Sequence, residues 1–432
     1  MTVPDAAECM GLDIGTAKLS ATVWQQDAKV VALLDHASIQ NPVSGTISFR
    51  KSRTPDGTEM APVFPVTTLE EGPDIVSFPE FKRALPLFGD DAAIRFLLKP
   101  VFEYWQPAFP AKKVHLTVSV PILYSWRVCQ ALREAAMDAG FASCSYINET
   151  LAAVIAAFPA WSADRARWKE LKQSGCYVWV ADSGSLDITL GLVYVYREES
   201  KLHLSYLAGD CLEECGALYT GPVANLQPKI LRSLEKMQSA RQAGATEAPV
   251  VQDRQSCNWV VVSGGAPHAR QVAQFLKEAL PGSDWADPAM DPHHAVSFGA
   301  TLHQAIQQQK TPYSIGVIHR NLVIGVLAAN QQASQLIPLG SPAGTFPFSC
   351  ERAFQVPGSS RLPVEITLCA ALPGGDIAGG LTSFVLSPET FSSPDPTPVL
   401  VRVAMQNWMQ GSASVQDLRT GLKLSEGSFS LP

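Results

Sequence analysis

Along the first 310 residues the apolar positions fall into runs of two kinds, and the order of those runs repeats. Val114, Leu116, Val118 and Val120 alternate with His115, Thr117 and Ser119, which predicts a strand stopped by Pro121. Ser125 is then placed to cap a helix whose apolar stripe is Val128, Leu132, Ala135, Ala136 and Ala139, with Gly140 ending it. A second helix is expected over 148–158, stopped by Pro159, and part of 78–98 reads as helical. Two segments open alike, each a strand, an acidic glycine turn and a returning strand. Asp13-Ile14-Gly15-Thr16 leads into 19–24, and Asp182-Ser183-Gly184-Ser185 follows the buried strand 177–181 and leads into 186–196. A further strand at 259–262 ends in Ser263-Gly264-Gly265, and a helix over 268–280 carries Val272, Leu276 and Leu280 on one face. Asp291-Pro292 begins a last helix, an N-cap followed by proline at the first position. The small and polar segment 239–250 reads as a loop. Residues 1–310 are therefore expected to form two α/β halves.

After Pro312 the pattern changes. Proline and glycine recur at short intervals, and Val364, Ile366 and Leu368 alternate with Glu365 and Thr367, as Val399, Val401 and Val403 do with their neighbours. This predicts an antiparallel β-sandwich over 311–432.

Composition narrows the classes of function. The 432 residues exceed one compact core, and a hydrophobic share of 46% with only 17% charged residues allows a large interior. A formal net charge of −7 argues against a nucleic-acid surface, which needs clustered Lys and Arg. The N-terminus lacks the basic-then-apolar pattern of a signal peptide, and the longest apolar run, 151–158, is far short of a membrane span. The nine cysteines are scattered, so reduced thiols in a cytoplasmic protein are expected. Cys211 and Cys215 have no second Cys/His pair nearby, and no zinc site is expected.

The two acidic glycine turns carry the candidate chemistry. Such a turn offers backbone N–H groups and a hydroxyl to an anion, and its carboxylate holds a magnesium ion through water. Around them, the sequence resembles the seventy-kilodalton heat-shock chaperones of the actin-like ATPase superfamily. Gly11-Leu12-Asp13-Ile14-Gly15-Thr16 is similar to that family's first phosphate loop. The stretch 118–141 followed by Ile147-Asn148-Glu149-Thr150-Leu151-Ala152-Ala153 is similar to its strand, long helix and connecting segment. Val180-Ala181-Asp182-Ser183-Gly184 resembles the second phosphate loop, Val261-Val262-Ser263-Gly264-Gly265-Ala266 the adenosine motif, and 291–300 the closing helix. Thr311-Pro312-Tyr313-Ser314-Ile315-Gly316 and 412–421 resemble the start and one hairpin of the substrate-binding β-sandwich.

The resemblance implies a duplicated actin-like ATPase fold and a set of roles. Asp13 and Asp182 hold the water shell of magnesium, and Gly15, Thr16 and Gly184 line the phosphates of ATP. Lys82 contacts the γ-phosphate, Glu149 positions water, and Gly264, Gly265 and His268 approach the adenosine. Phe348 and Cys350 fall where the family's strands begin to line the client channel.

The departures from the family are as telling. Asp182 and Asp187 enclose a loop about two residues short, and its threonine is missing. Ala17 and Lys18 replace a polar pair, and His268 stands in place of an arginine. Only 77 residues separate Asp187 from Gly264, so the subdomain that closes over the adenine is reduced or missing. The acidic, leucine-rich interdomain linker is absent, and with the chain ending at Pro432 no helical lid is expected. The expectation is a divergent chaperone-like protein with magnesium–ATP binding, weak or absent hydrolysis, and a polypeptide or small-molecule ligand in the β domain. The alternative is the same fold repurposed as a catalyst or scaffold acting on a small molecule, for example in a biosynthetic pathway. Neither reading involves nucleic acid or membrane, and the sequence leaves the oligomeric state open.

Overall fold

In the computed structural model, both strand–turn–strand openings form hairpins in the middle of a sheet. The structure describes residues 9–16, 18–25, 28–34, 41–54, 57–64, 74–78, 81–85, 91–109, 113–121, 124, 126–198, 201–245, 257–280, 282–286, 291–318, 323–327, 333–338, 348–356, 364–371, 377–387, 395–405 and 410–430. The chain divides into two compact units, Met1–Pro121 with Val128–Val317, and Ile122–Arg127 with Ile318–Pro432.

The first unit begins with β1 (Cys9–Ile14), β2 (Lys18–Gln25), β3 (Val30–Leu33) and a short β4 (Val43–Ser44). A separate three-stranded sheet follows, β5 (Ile47–Thr54), β6 (Gly57–Val63) and β7 (Ile75–Phe78), then helices α1 (Phe81–Ala84) and α2 (Asp91–Trp105). The strands β8 (His115–Val120) and β9 (Ser143–Asn148), joined by α3 (Trp126–Asp138), return to the first sheet. Its order is β3-β2-β1-β8-β9, antiparallel as far as β1 and parallel beyond it. Helices α4 (Glu149–Ala156), α5 (Phe158–Ala163) and α6 (Arg165–Ser174) lead to β10 (Cys176–Ser183), β11 (Ile188–Glu198) and β12 (Lys201–Leu212). After α7 (Gln227–Ala245) come β13 (Cys257–Ser263), α8 (Ala269–Ala279), β14 (Ser283–Trp285), α9 (Ala295–Gln307) and β15 (Ile315–Ile318). The second sheet runs β14-β13-β10-β11-β12-β15. Leaving out β15, it repeats the first sheet's order and its switch from antiparallel to parallel pairing.

The sequence explains these elements. Strands buried on both faces read as apolar runs, as Cys176–Ser183 does from Tyr177 to Ala181. The outer face of the second sheet is closed by α7 and α8, through Ile230, Leu234, Met237, Val272 and Leu276, with Leu226 from the turn before α7. Two helices are exchanged between the sheets. Helix α9 follows the second sheet in sequence yet packs on β1, β2 and β8, while α4 follows the first and packs on β10, β11 and β13. They cross each other closely at Gly299, where a Cβ would stand 1.8 Å from the Ala152 carbonyl oxygen. Gly11 lets α9 onto β1 in the same way, a Cβ there meeting the Ser297 carbonyl oxygen at 2.3 Å. The α9 interface with the first sheet is polar: Thr22 Oγ1 donates to the Ser297 carbonyl (2.8 Å), and Thr117 Oγ1 to Gln304 Oε1 (2.7 Å).

Two expectations fail locally. Pro159 does not simply stop a helix: α4 ends at Ala156, and a new helix begins at Phe158 with Pro159 in its first turn, where the missing N–H costs nothing. The start of the expected 239–250 loop is helical, since α7 continues to Ala245 through Ala, Arg and Gln, all good helix formers.

The second unit holds two antiparallel four-stranded sheets. One has the order β17 (Ala333–Pro338), β16 (Val323–Leu327), β19 (Val364–Ala371), β20 (Ile377–Leu386), and the other β18 (Phe348–Val356), β21 (Thr397–Met405), β22 (Gln410–Asp417), β23 (Lys423–Ser430). They share one core, with Ile324, Ile366, Leu368 and Phe384 from the first and Val399, Val401, Val403 and Val415 from the second. Along β21 the expected alternation is an alternation of burial, Val401 and Val403 inside and Arg402 exposed. Among the described residues, no helix is long and apolar enough to cross a membrane.

Candidate functional site

Asp13 and Asp182 occupy matching places, each near the C-terminal end of the first strand of its sheet, just before the turn. The parallel neighbour strand supplies each with a hydroxyl. Ser119 lies beside Asp13 and donates to Oδ1 (2.7 Å), and Ser263 lies beside Asp182 and donates to Oδ1 (2.9 Å). The sequence assigns these two serines no partner, because their role depends on strand register. They stand in the quoted motifs, as Val118-Ser119-Val120 and Ser263-Gly264.

Glu149 is the first residue of α4. Asn148 caps that helix through its side-chain oxygen, which accepts from the N–H groups of Thr150 and Leu151, so the carboxylate sits at the positive helix end. Lys82 on α1 reaches it, and Lys82 Nζ and Glu149 Oε1 form an ion pair. Both side chains are mostly buried, 14% and 10% exposed. Arg83, the next residue, pairs with Asp187 Oδ1 at 2.9 Å, and the Glu214 N–H donates to the same oxygen.

One ammonium thus stands among three carboxylates. Burial pulls the Lys82 pKa down, but Glu149, Asp13 and Asp182 outweigh it and hold it above the usual lysine value. Burial, with help from Asp13, pushes Glu149 up against the opposing pull of Lys82. Asp182 is pushed up to about 7, first by burial, then by Glu149 and Asp13, with the Ser263 hydroxyl and Lys82 opposing. Since Asp182 is ordinarily near 3.8, the folded state prefers its neutral form. The associated stability is complete at low pH and is lost as pH rises toward 7. Asp182→Asn, measured without magnesium, should therefore raise the melting temperature more at pH 8 than at pH 5, by a margin of roughly 5 °C. An equal gain at both values would show that Asp182 ionises normally.

The remaining expected residues are placed as follows. Gly15 and Thr16 form the turn between β1 and β2, with Gly15 close under the Lys18 carbonyl; Ala17 lies outside the described residues. Gly184 starts a tight turn, its N–H donating to the Asp187 carbonyl (2.9 Å), and segment 216–218 is strapped onto that turn by three backbone hydrogen bonds. Ser183 Oγ and Ser185 Oγ in the same loop are buried with no hydrogen-bond partner among the described residues. Gly264 has a left-handed backbone, φ 83°, and a Cβ there would strike the Ser183 carbonyl at 2.3 Å. Its N–H donates to the Pro292 carbonyl (3.0 Å). His268 is buried, with Nε2 on the Cys215 carbonyl oxygen (2.9 Å). His293, within the 291–300 segment, stands against Gly265. Phe348 and Cys350 lie at the start of β18 opposite Met405 and Val403, and their side chains lie outside the described residues.

Among the described residues, no three His, Cys, Asp or Glu side chains gather closely enough to grip a metal directly. The donor set of Asp13 and Asp182, hard oxygens fixed by hydroxyls, fits a magnesium ion that keeps its own water shell. Lys82, the cation of this cluster, is held by Glu149, and the Gly184 N–H is spent within its own turn. No family model matches the chain, and no curated protein matches it.

Proposed function

We propose that the first unit is a divergent actin-like nucleotide-binding module, related to the seventy-kilodalton chaperones, that binds a magnesium–triphosphate ligand of the ATP kind and turns it over slowly or not at all. The observation that supports this best is the cluster of Asp13 and Asp182, at matching strand ends of two sheets of like order, with Glu149 of α4 and Lys82 of α1. A buried ion pair adds little stability over a well-packed apolar pair, and such clusters of perturbed groups concentrate at functional sites.

In this reading Asp13 and Asp182 orient the cation's water shell, Lys82 leaves Glu149 to meet the terminal phosphate, and Glu149 then accepts a proton from water. The bound cation supplies charge neutralisation for the phosphates. The second unit holds a polypeptide or small-molecule ligand, and the protein acts in the cytoplasm. Isothermal titration with ATP and magnesium should give a dissociation constant weaker than about 1 μM, since losing several hydrogen bonds of roughly 1 kcal/mol each costs orders of magnitude. Asp13→Ala should abolish the binding without unfolding the chain. Submicromolar affinity contradicts the loose binding, and binding unchanged in Asp13→Ala contradicts the assignment.

A further inference from the structure

We propose that Glu149 decides the form in which this site takes a phosphate chain: by holding Lys82 it makes the site refuse the bare polyanion and accept it only as a divalent-cation complex. The inference rests on the reading given above and names what that site admits.

The charges around Lys82 carry the argument. Lys82 Nζ and Glu149 Oε1 form an ion pair whose side chains are both mostly buried. Asp13 and Asp182 act on the same ammonium, and Asp13 acts on Glu149, so the four groups share one place. Asp13, Asp182 and Lys82 are only half-buried, which leaves the cluster within reach of solvent and ions. The other cation of α1 is engaged as well. Arg83 pairs with Asp187 Oδ1 (2.9 Å), an oxygen that also accepts the Glu214 N–H (3.1 Å). A bare phosphate chain therefore meets three carboxyl groups whose ammonium is already taken. To gain Lys82 it must open a pair shielded from water, where opposite charges attract more strongly than at the surface. Opening that pair leaves the Glu149 carboxylate buried without a cation, which is the costly outcome. A chain that brings a divalent cation meets neither obstacle, because the added charge offsets the carboxylates while Lys82 turns to the phosphate. Glu149→Gln removes the competitor and keeps its length and shape. Lys82 still has Asp13 and Asp182 beside it, so the ammonium is not stranded.

The test is calorimetric titration of the full chain with inorganic tripolyphosphate, once in excess magnesium and once in a chelator, with circular dichroism confirming the fold of each variant. The wild type should bind the magnesium complex at least about tenfold more tightly than the bare chain. Glu149→Gln should bind the bare chain at least about tenfold more tightly than the wild type does, a gain that a loss of structure cannot produce. The gain should vanish when Lys82→Met is added to Glu149→Gln, since it comes from the released ammonium. Equal wild-type affinity with and without magnesium overturns the inference, and that comparison depends on no variant. A folded Glu149→Gln protein with no gain, or a gain that survives Lys82→Met, overturns it too. Each of these results leaves the phosphate-binding reading standing, whereas a wild type that does not bind the magnesium complex overturns both.

Discussion

Replacing Gly299 by alanine should lower the melting temperature by about 10 °C, the largest effect expected of a single methyl group in this chain. The added Cβ would stand 1.8 Å from the Ala152 carbonyl oxygen, 2.5 Å from its carbon and 3.0 Å from its Cα. All three are backbone atoms, so no rotamer change relieves the clash. Helices α4 and α9 must move apart, and every residue of α4 is buried, so the movement spreads into both sheets. Overpacking usually costs about 1–3 kcal/mol, and a backbone-on-backbone clash belongs at or above the upper end. Gly282→Ala is the control: nothing lies within 4 Å, and only its φ of 72° opposes the change, at about 1 kcal/mol. Equal losses in the two variants would show that the helix crossing is soft.

Lys82→Met should destabilise the first unit by about 3–5 kcal/mol at pH 8, because it leaves the Glu149 carboxylate buried without its cation. The deficit should shrink as pH falls, since Glu149 already titrates above the usual carboxylate range and protonation removes the uncompensated charge. Lys82→Met combined with Glu149→Gln should recover most of the loss, as a neutral pair needs no counter-charge. Melting curves of the wild type, the single and the double variants at pH 5 and pH 8 decide the matter. A single variant within about 2 °C of wild type at pH 8, or a double variant no better than the single, would show that the pair contributes little.

What was legible in the sequence follows the range of the interactions. Strands β10 and β13 could be read from continuous apolar runs and β8 from alternation, since its second face carries His115, Thr117 and Ser119. Asp13, Asp182 and Glu149 could be singled out because each sits in a short local motif, and Lys82 only through the family resemblance. The pairing of Ser119 with Asp13 could not, since it depends on two strands more than a hundred residues apart taking one register. His268 illustrates the same limit: the hydrogen bond of its Nε2 with the Cys215 carbonyl, fifty-three residues away, has no local signal. Helix α7 and strand β12 were not anticipated at all, and their burial is set by the long β11–β12 pairing and by α8 rather than by a clean local period.

The exchange of α4 and α9 has a consequence for synthesis. A ribosome makes the chain from the N-terminus, and the first sheet is complete in sequence once Asn148 has emerged. Its cover, α9, does not exist until Gln307. Until then the faces of Gly11, Thr22 and Thr117 that α9 occupies stand open in the nascent chain. The lining of that face is hydroxyl-rich rather than wholly greasy, so water can hold the place of the absent helix. A half-made sheet of this kind waits for its partner with less tendency to stick to other nascent chains than an apolar one would have.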